Sequence, residues 1–232
     1  DEESINDIFV SFFDAESSIE RVRNAEESGF DITAWERFIE TGGPGMCLPE
    51  SCGGGGADLT TAAIVANLLG TYVAPIPFIE HVVAARLLAS LDESNANLPL
   101  LATGEMIASL ALQSLQDSTS AIVPAGAIAN YIIGLRGEEI VVAENTTGAS
   151  PLRNTANLPI ARNNFDDAIV IASGEEAHNA YLRAKSEWKA LMAVALTGLG
   201  RKAVDIGVGY AKERYQFGVL IAVSYTHLRA HE

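Results

Sequence analysis

The stretch Gly198–Ala222, GLGRKAVDIGVGYAKERYQFGVLIA, constrains this chain more than any other. Leu196, Leu199, Ala203, Ile206 and Tyr210 recur at spacings of three and four, the period that brings side chains onto one helical face. Arg201, Lys202, Asp205 and Lys212 mark the opposite face, so the pattern predicts an amphipathic helix with a buried apolar stripe. It ends in Lys212, Glu213 and Arg214, and Tyr215–Gly218 then break it. Basic side chains near a helix C-terminus favour the macrodipole, which by itself accounts for Lys212 and Arg214.

Upstream, the segment from Ser173-Gly174 to Arg214 carries no proline. It predicts one long helix, or that helix preceded by a shorter one. Its centre, Ala190–Gly200, is apolar all round and calls for burial between neighbours. A chain of 232 residues offers few such neighbours, which points to other subunits or to further chain.

The N-terminal part reads as a small helical array. Ile5, Ile8, Phe9 and Phe12 form one stripe, and a second helix is predicted over Ser17–Ser28, stopping at Gly29. Thr33-Ala34-Trp35-Glu36 matches a capping box, so a third helix starts there and ends before Gly42-Gly43. The glycine-rich run Leu48–Leu59 lacks the Gly-Lys-Ser/Thr of a P-loop, and no strand is predicted before it. It reads as a tight connection with Asp58 as the N-cap of the next helix.

Leu59–Ile79 has no charge and reaches membrane-spanning length, but Asn67, Gly70, Thr71 and Pro75-Ile76-Pro77 interrupt it. Two core helices, about Leu59–Tyr72 and Pro77–Leu91, are predicted instead, followed by a polar linker over Asp92–Asn97. From Leu98 the character changes. Ile107–Leu112, Ala121–Val123, Tyr131–Leu135, Ile140–Ala143 and Ala168–Ala172 are short apolar runs between turn residues, the spacing of strands. Arg136–Glu139 reads as a hairpin loop. The fold class is therefore α+β, mostly α. A helical domain spans 1–97, a short middle β-domain 98–173, and the start of a C-terminal helical bundle 174–222.

A net charge of −15 argues against nucleic acid and against an anionic membrane surface, since both need clustered Lys and Arg. Cys47 and Cys52 have too few neighbouring ligands for a metal site and read as loop thiols. The chain shows neither an initiator Met nor a basic, apolar leader, so no secretory signal is expected and a cytoplasmic location is. Val223–Glu232, VSYTHLRAHE, departs from the preceding pattern and resembles a translated sequencing adapter, so it reads as a non-native tail. The alternative is a Thr-His-x-x-x-His metal motif over Thr226, His227 and His231.

The Gly-Leu pair, the small and apolar run and Tyr210-Ala-Lys-Glu-Arg-Tyr-Gln-Phe-Gly218 together resemble the acyl-CoA dehydrogenase signature. The resemblance implies that this helix opens a C-terminal bundle. It also implies that Arg214, Gln216 and Phe217 meet the diphosphate and adenine half of FAD in a neighbouring subunit. Arginine suits that role because its guanidinium is a fixed fork of donors. Pro49, Glu50, Gly53, Gly54 and Gly56 can be placed on a connection in the family's N-terminal domain. Phe78, Val82 and Leu88 fall near its acyl-chain pocket, though packing against the core is the plainer role for them.

What the resemblance implies is α,β-desaturation of an acyl-CoA thioester with FAD as hydride acceptor. Electrons would pass to an electron-transfer-flavoprotein-like acceptor, and the assembly would be a homo- or hetero-oligomer. The chain also departs from the family. The family's flavin-facing Thr-Glu-Pro…Gly-Ser-Asp stretch is replaced by Gln113-Ser114-Leu115-Gln116. The family's terminal catalytic glutamate has no counterpart here, and an alternative base position falls on Trp188, with Ser186 and Lys189 at its usual Asp and Arg. No catalytic residue is assigned. Two further readings stand beside the enzyme: a catalytically incompetent subunit that completes a partner's FAD site, and an acidic helical interaction module.

Overall fold

The computed structural model describes residues 2–115, 119–145, 148–216 and 218–222. Three helices open the chain: α1 (Glu2–Glu16), α2 (Ile19–Asn24) and α3 (Ile32–Glu40). Phe9 and Phe13 are the buried side chains of α1, with Ile5 and Phe12 partly buried against them, whereas Ile8 is 57% exposed. The predicted stripe is therefore rotated, because Phe38 of α3 draws in Phe9, Phe12 and Phe13 at centroid distances of 5.8, 5.5 and 6.5 Å. Helix α2 is shorter than predicted and is capped by Ser18, with turns carrying the chain to Gly29.

The capping box at Thr33 is not the one used. Helix α3 starts at Ile32, and Asp31 caps it by accepting from the Ala34 N–H at 3.0 Å. Asp31 also pairs with Arg21 at 2.9 Å, which ties α2 to α3. That second partner is what a local pattern does not contain.

The glycine-rich run forms a short 3-10 turn (Glu50–Cys52) and a folded loop. Its amides are spent on nearby backbone carbonyls: Gly54 donates to Pro49, Gly55 to Gly45, Gly56 to Leu48 and Ala57 to Met46. No set of free N–H groups is left there to cradle a phosphate. Asp58 caps α4 (Leu59–Tyr72) by accepting from the Thr61 N–H at 2.9 Å, as the sequence predicts. The left-handed Val73 and the turn through Pro77 lead into α5 (Phe78–Leu91), which is buried nearly throughout. Among the described residues no helix is long and apolar enough to cross a membrane.

The segment after Leu98 opens not on a strand but on a short helix, α6 (Leu98–Thr103), whose Pro99 occupies the first turn, where its missing N–H costs nothing. Strands β1 (Ala108–Leu110), β2 (Ser120–Val123), β3 (Tyr131–Arg136) and β4 (Glu139–Glu144) follow the apolar runs. Then come β5 (Ala161–Asn164) and β6 (Ile169–Ser173). Four of them form a sheet in the order β1-β3-β4-β6, with β1 parallel to β3 and the other pairs antiparallel. The β3–β4 hairpin closes with Arg136 opposite Glu139. β2 pairs with β5 in a separate two-stranded ribbon. β5 was not predicted: its sequence is Ala-Arg-Asn-Asn, and only its alternation of buried Ala161 and Asn163 with exposed neighbours marks it as a strand.

Helix α7 (Glu175–Glu213) is one continuous 39-residue helix, packed on α4 and α5. Its core-facing residues, Ala177, Ala180, Tyr181, Ala184, Leu191, Ala195 and Gly198, end well before the helix does. The predicted buried stripe is corrected here. Leu196 is 59%, Ile206 63% and Tyr210 59% exposed, and Leu199 and Ala203 are exposed too. The period was right, but no other element of the described chain lies opposite that face, so nothing removes it from water.

Candidate functional site

At the end of α7 the chain turns through a small hairpin. Arg214 leaves the helix in an extended conformation (φ −82, ψ 123), while its N–H still donates to the Tyr210 carbonyl at 2.9 Å. Strand β7 (Tyr215–Gln216) pairs with β8 (Val219–Leu220), and Gly218, at φ 82, makes the reversal that a side chain would resist. The Ile221 N–H closes the base of the hairpin on the Arg214 carbonyl at 3.0 Å. Arg214 and Gln216 are brought together on this hairpin, and both are exposed. Among the described residues Arg214 makes no ion pair. Among the described residues its guanidinium makes no side-chain hydrogen bond either. Phe217 lies outside the described residues, as does the tail with Thr226, His227 and His231. Among the described residues no cluster of His, Cys, Asp or Glu is placed to hold a metal.

A second polar focus lies where α5 meets α7. Three ionisable residues interrupt the apolar α5, and each has its own partner. Arg86 forms a two-pronged pair with Glu187 (Nε to Oε2 3.0 Å, Nη2 to Oε1 3.2 Å) and also reaches the Cys47 carbonyl at 3.4 Å. His81 is fully buried and spans two backbone groups. Its Nδ1 accepts from the Ala108 N–H at 3.2 Å, which leaves Nε2 to donate to the Leu101 carbonyl at 3.0 Å. Burial without a carboxylate partner pulls its pKa down to about 4, so the ring is neutral. Glu80, half-buried, accepts from the indole N–H of Trp188 at 3.4 Å.

Trp188 is the position at which the sequence looked for a base and found none. The structure sets the carboxylate of another helix beside it. Burial, the largest cause, raises the Glu80 pKa, and its own backbone N–H and Trp188 oppose the rise; no charged group contributes. Sequence reasoning missed Glu80 because an acid in a first helical turn is explained by the helix dipole. The available signal was a carboxylate within an otherwise apolar helix.

The remaining expected positions are settled by local bonding. Phe78, Val82 and Leu88 are at most 1% exposed and belong to the packed core. After β1, the Leu115 N–H donates to the Leu135 carbonyl at 2.8 Å, and the Ser114 hydroxyl donates to the same oxygen at 3.2 Å. The hydroxyl in that stretch is thus turned to the neighbouring strand. Ser186 donates back to the Leu182 carbonyl at 2.9 Å, and Lys189 is exposed. A cleft of about 590 Å³ lies on the sheet side, lined by Asn97, Tyr131, Glu144, Arg162 and Asn163 among others.

The helical part matches a known family. The model of the acyl-CoA dehydrogenase N-terminal domain matches residues 1–105. Acyl-CoA dehydrogenase IpdE2 of Mycolicibacterium smegmatis is 27% identical over 219 residues, 93% of this chain and 66% of its own length. The chain therefore spans just under two thirds of that relative. The ChsE4-ChsE5 complex from Mycobacterium tuberculosis shares the fold, with a TM-score of 0.84 at 18% identity over 99% of this chain and 71% of that one. So does the FAD complex of PigA, with a TM-score of 0.74 at 18% identity, covering 94% of this chain and 70% of that one. Residues 1–105 thus match the acyl-CoA dehydrogenase N-terminal domain, and along nearly its whole length the chain is similar to acyl-CoA dehydrogenases and shares their fold.

Proposed function

We propose that this chain takes part in the FAD-dependent α,β-desaturation of an acyl-CoA thioester, within an oligomer of dehydrogenase subunits. The observation that carries the reading is Arg214: a guanidinium with no ion pair among the described residues, on a hydrogen-bonded hairpin beyond the packed part of α7. A cation so placed is free to grip a diphosphate with parallel N–H donors, and Gln216 on the same hairpin adds an amide donor. Arg214, Gln216 and Phe217 are the residues proposed to hold the cofactor. When bound, FAD supplies the hydride acceptor for the β-hydrogen, and its electrons pass on to an electron-transfer-flavoprotein-like acceptor. Because Arg214 is exposed at the end of α7, beyond the part packed on α4 and α5, the flavin it would serve is assigned to a neighbouring subunit.

One observation favours a second reading. The Ser114 hydroxyl is engaged with Leu135, so this stretch turns no free hydroxyl donor toward a flavin ring. A subunit of that kind completes the cofactor site of a different, catalytic chain, and the ChsE4-ChsE5 pair is a two-component relative in fold.

The test is purification of the chain by itself and with a co-expressed homologue, followed by visible absorbance and acyl-CoA addition. Flavin that bleaches with the chain by itself supports the first reading. Flavin retained only with the homologue supports the second. In either arm Arg214→Ala should lower retained flavin at unchanged thermal stability; equal retention would remove the assignment.

A further inference from the structure

Strand β6 ends the four-stranded sheet, hydrogen-bonded to β4 along one side. Among the described residues no strand pairs with its other side. A bare edge is a template for a further strand, and sheets guard it with charge, proline or a bulge. Between Ile169 and Ser173, β6 carries neither charge nor proline. Its one guard is the register shift that leaves Ile171 without an opposite residue on β4. Its side chains are aliphatic and wet, with Ile169 67% and Val170 42% exposed. Strand β5 shows the contrast, since its exposed positions are Arg162 and Asn164.

The charges around this edge define what suits it. Asp166 and Asp167 are exposed just before the strand, and Glu175 and Glu176 just after it. The cleft of about 590 Å³ continues the same surface, because Ile169 and Ile171 line it together with Glu144, Asp166 and Asp167. Arg162 is the cation in that wall, and it donates to the Ser120 hydroxyl at 3.5 Å. At the far end Arg136 is already paired with Glu139 at 3.2 Å. A second copy of the chain does not fit. Antiparallel pairing centred on Ile171 would carry Asp166 and Asp167 of each copy toward Glu175 and Glu176 of the other. Parallel pairing in register would set each acid beside its own equivalent. Both arrangements repel.

We propose that the open edge of β6 takes up an extended segment of a different protein as a fifth strand, aliphatic at alternate positions and bearing Lys or Arg at both ends. Main-chain hydrogen bonds along the free side of β6 hold the segment, and Ile169 and Ile171 give it apolar contact. The acidic groups at the two ends fix its register by pairing with its cations. None of the residues assigned to the cofactor is involved, so this surface stands or falls apart from them.

The test is fluorescence anisotropy of the full chain with the labelled peptide Lys-Lys-Val-Thr-Val-Thr-Val-Lys-Lys. It should bind, and more weakly as salt is raised. The same peptide with Glu for every Lys should not bind. Nor should one N-methylated throughout its central residues, which keeps the charges and loses the main-chain donors. In the protein, Asp166→Lys combined with Asp167→Lys should weaken binding by about tenfold. Ile169→Lys should weaken it at an unchanged melting temperature, since the position is exposed. In the unsubstituted protein the peptide should slow amide hydrogen exchange within Ile169–Ser173, a readout that needs no variant. Equal affinity for the N-methylated peptide would reduce the surface to an acidic patch and overturn the strand pairing. Equal affinity of Ile169→Lys, or protection confined to other segments, would place the peptide elsewhere and overturn it too. No binding of the basic peptide, or dimerisation of the chain that Ile169→Lys abolishes, also overturns the proposal.

Discussion

The backbone of Gly70 on α4 lies so close to the Ala195 carbonyl of α7 that a Cβ at Gly70 would stand 1.8 Å from that oxygen. The contact is repeated one turn on, where a Cβ at Gly198 would stand 2.1 Å from the Asn67 carbonyl. The Asn67 amide donates back to the Val194 carbonyl at 3.4 Å. The two helices therefore cross backbone to backbone, and this crossing sets where α7 lies against the helical core.

Gly70→Ala is expected to destabilise the chain by about 1–3 kcal/mol, since the clash is with backbone and cannot be relieved by a rotamer. Gly200→Ala, two residues beyond the crossing and with open space around it, should instead gain about 0.5–1 kcal/mol from helix propensity. Urea unfolding of both variants checks the pair, and equal effects would mean the helices do not cross there.

His81 predicts an acid-sensitive fold. Its folded pKa of about 4 lies below the roughly 6.5 of an unfolded histidine, so the unfolded chain binds the proton more readily. Stability from this residue is complete above pH 6.5 and drains away as pH falls toward 4, by about 3 kcal/mol in all. Unfolding midpoints between pH 7 and 4.5 should fall accordingly. His81→Leu should flatten that slope and lower stability throughout, because the Leu101 carbonyl and Ala108 N–H lose their partner.

Glu80 should show the opposite sign. A carboxyl whose folded pKa is raised favours folding at low pH and loses that advantage as pH rises through its folded pKa. Glu80→Gln is therefore expected to raise the melting temperature at pH 7 by a few degrees, and to change little near pH 4.

The far third of α7 should exchange its amides quickly in the isolated chain. Residues 199–213 are exposed apart from a few intermediate positions, while the helix between Ala177 and Gly198 is held by α4 and α5. Hydrogen exchange should be orders of magnitude faster beyond Gly198. Protection as strong as in the first half would mean that another chain covers Leu196, Ile206 and Tyr210.

Much of the local structure was legible in the residues. Asp58 and the uncharged run after it set both ends of α4, because capping and the turn at Val73 are short-range events. The β3–β4 hairpin followed from two apolar runs divided by a charged turn. Elsewhere tertiary contact overrode the pattern. Asp31 displaced Thr33 as a cap because it also had Arg21 to bind. β5 is polar and exists because β2 offers it a ladder.

By itself the sequence determined the cap of α4, the β3–β4 hairpin, that α7 is long, and that Arg214 and Gln216 leave its end together, since each depends on residues a few positions apart. Tertiary structure decided which apolar face is covered and which is left in water, and it placed Glu80 against Trp188 across 108 residues of chain. Periodicity describes one helix, whereas burial and proton affinity belong to pairs of elements, and only folding brings those pairs together.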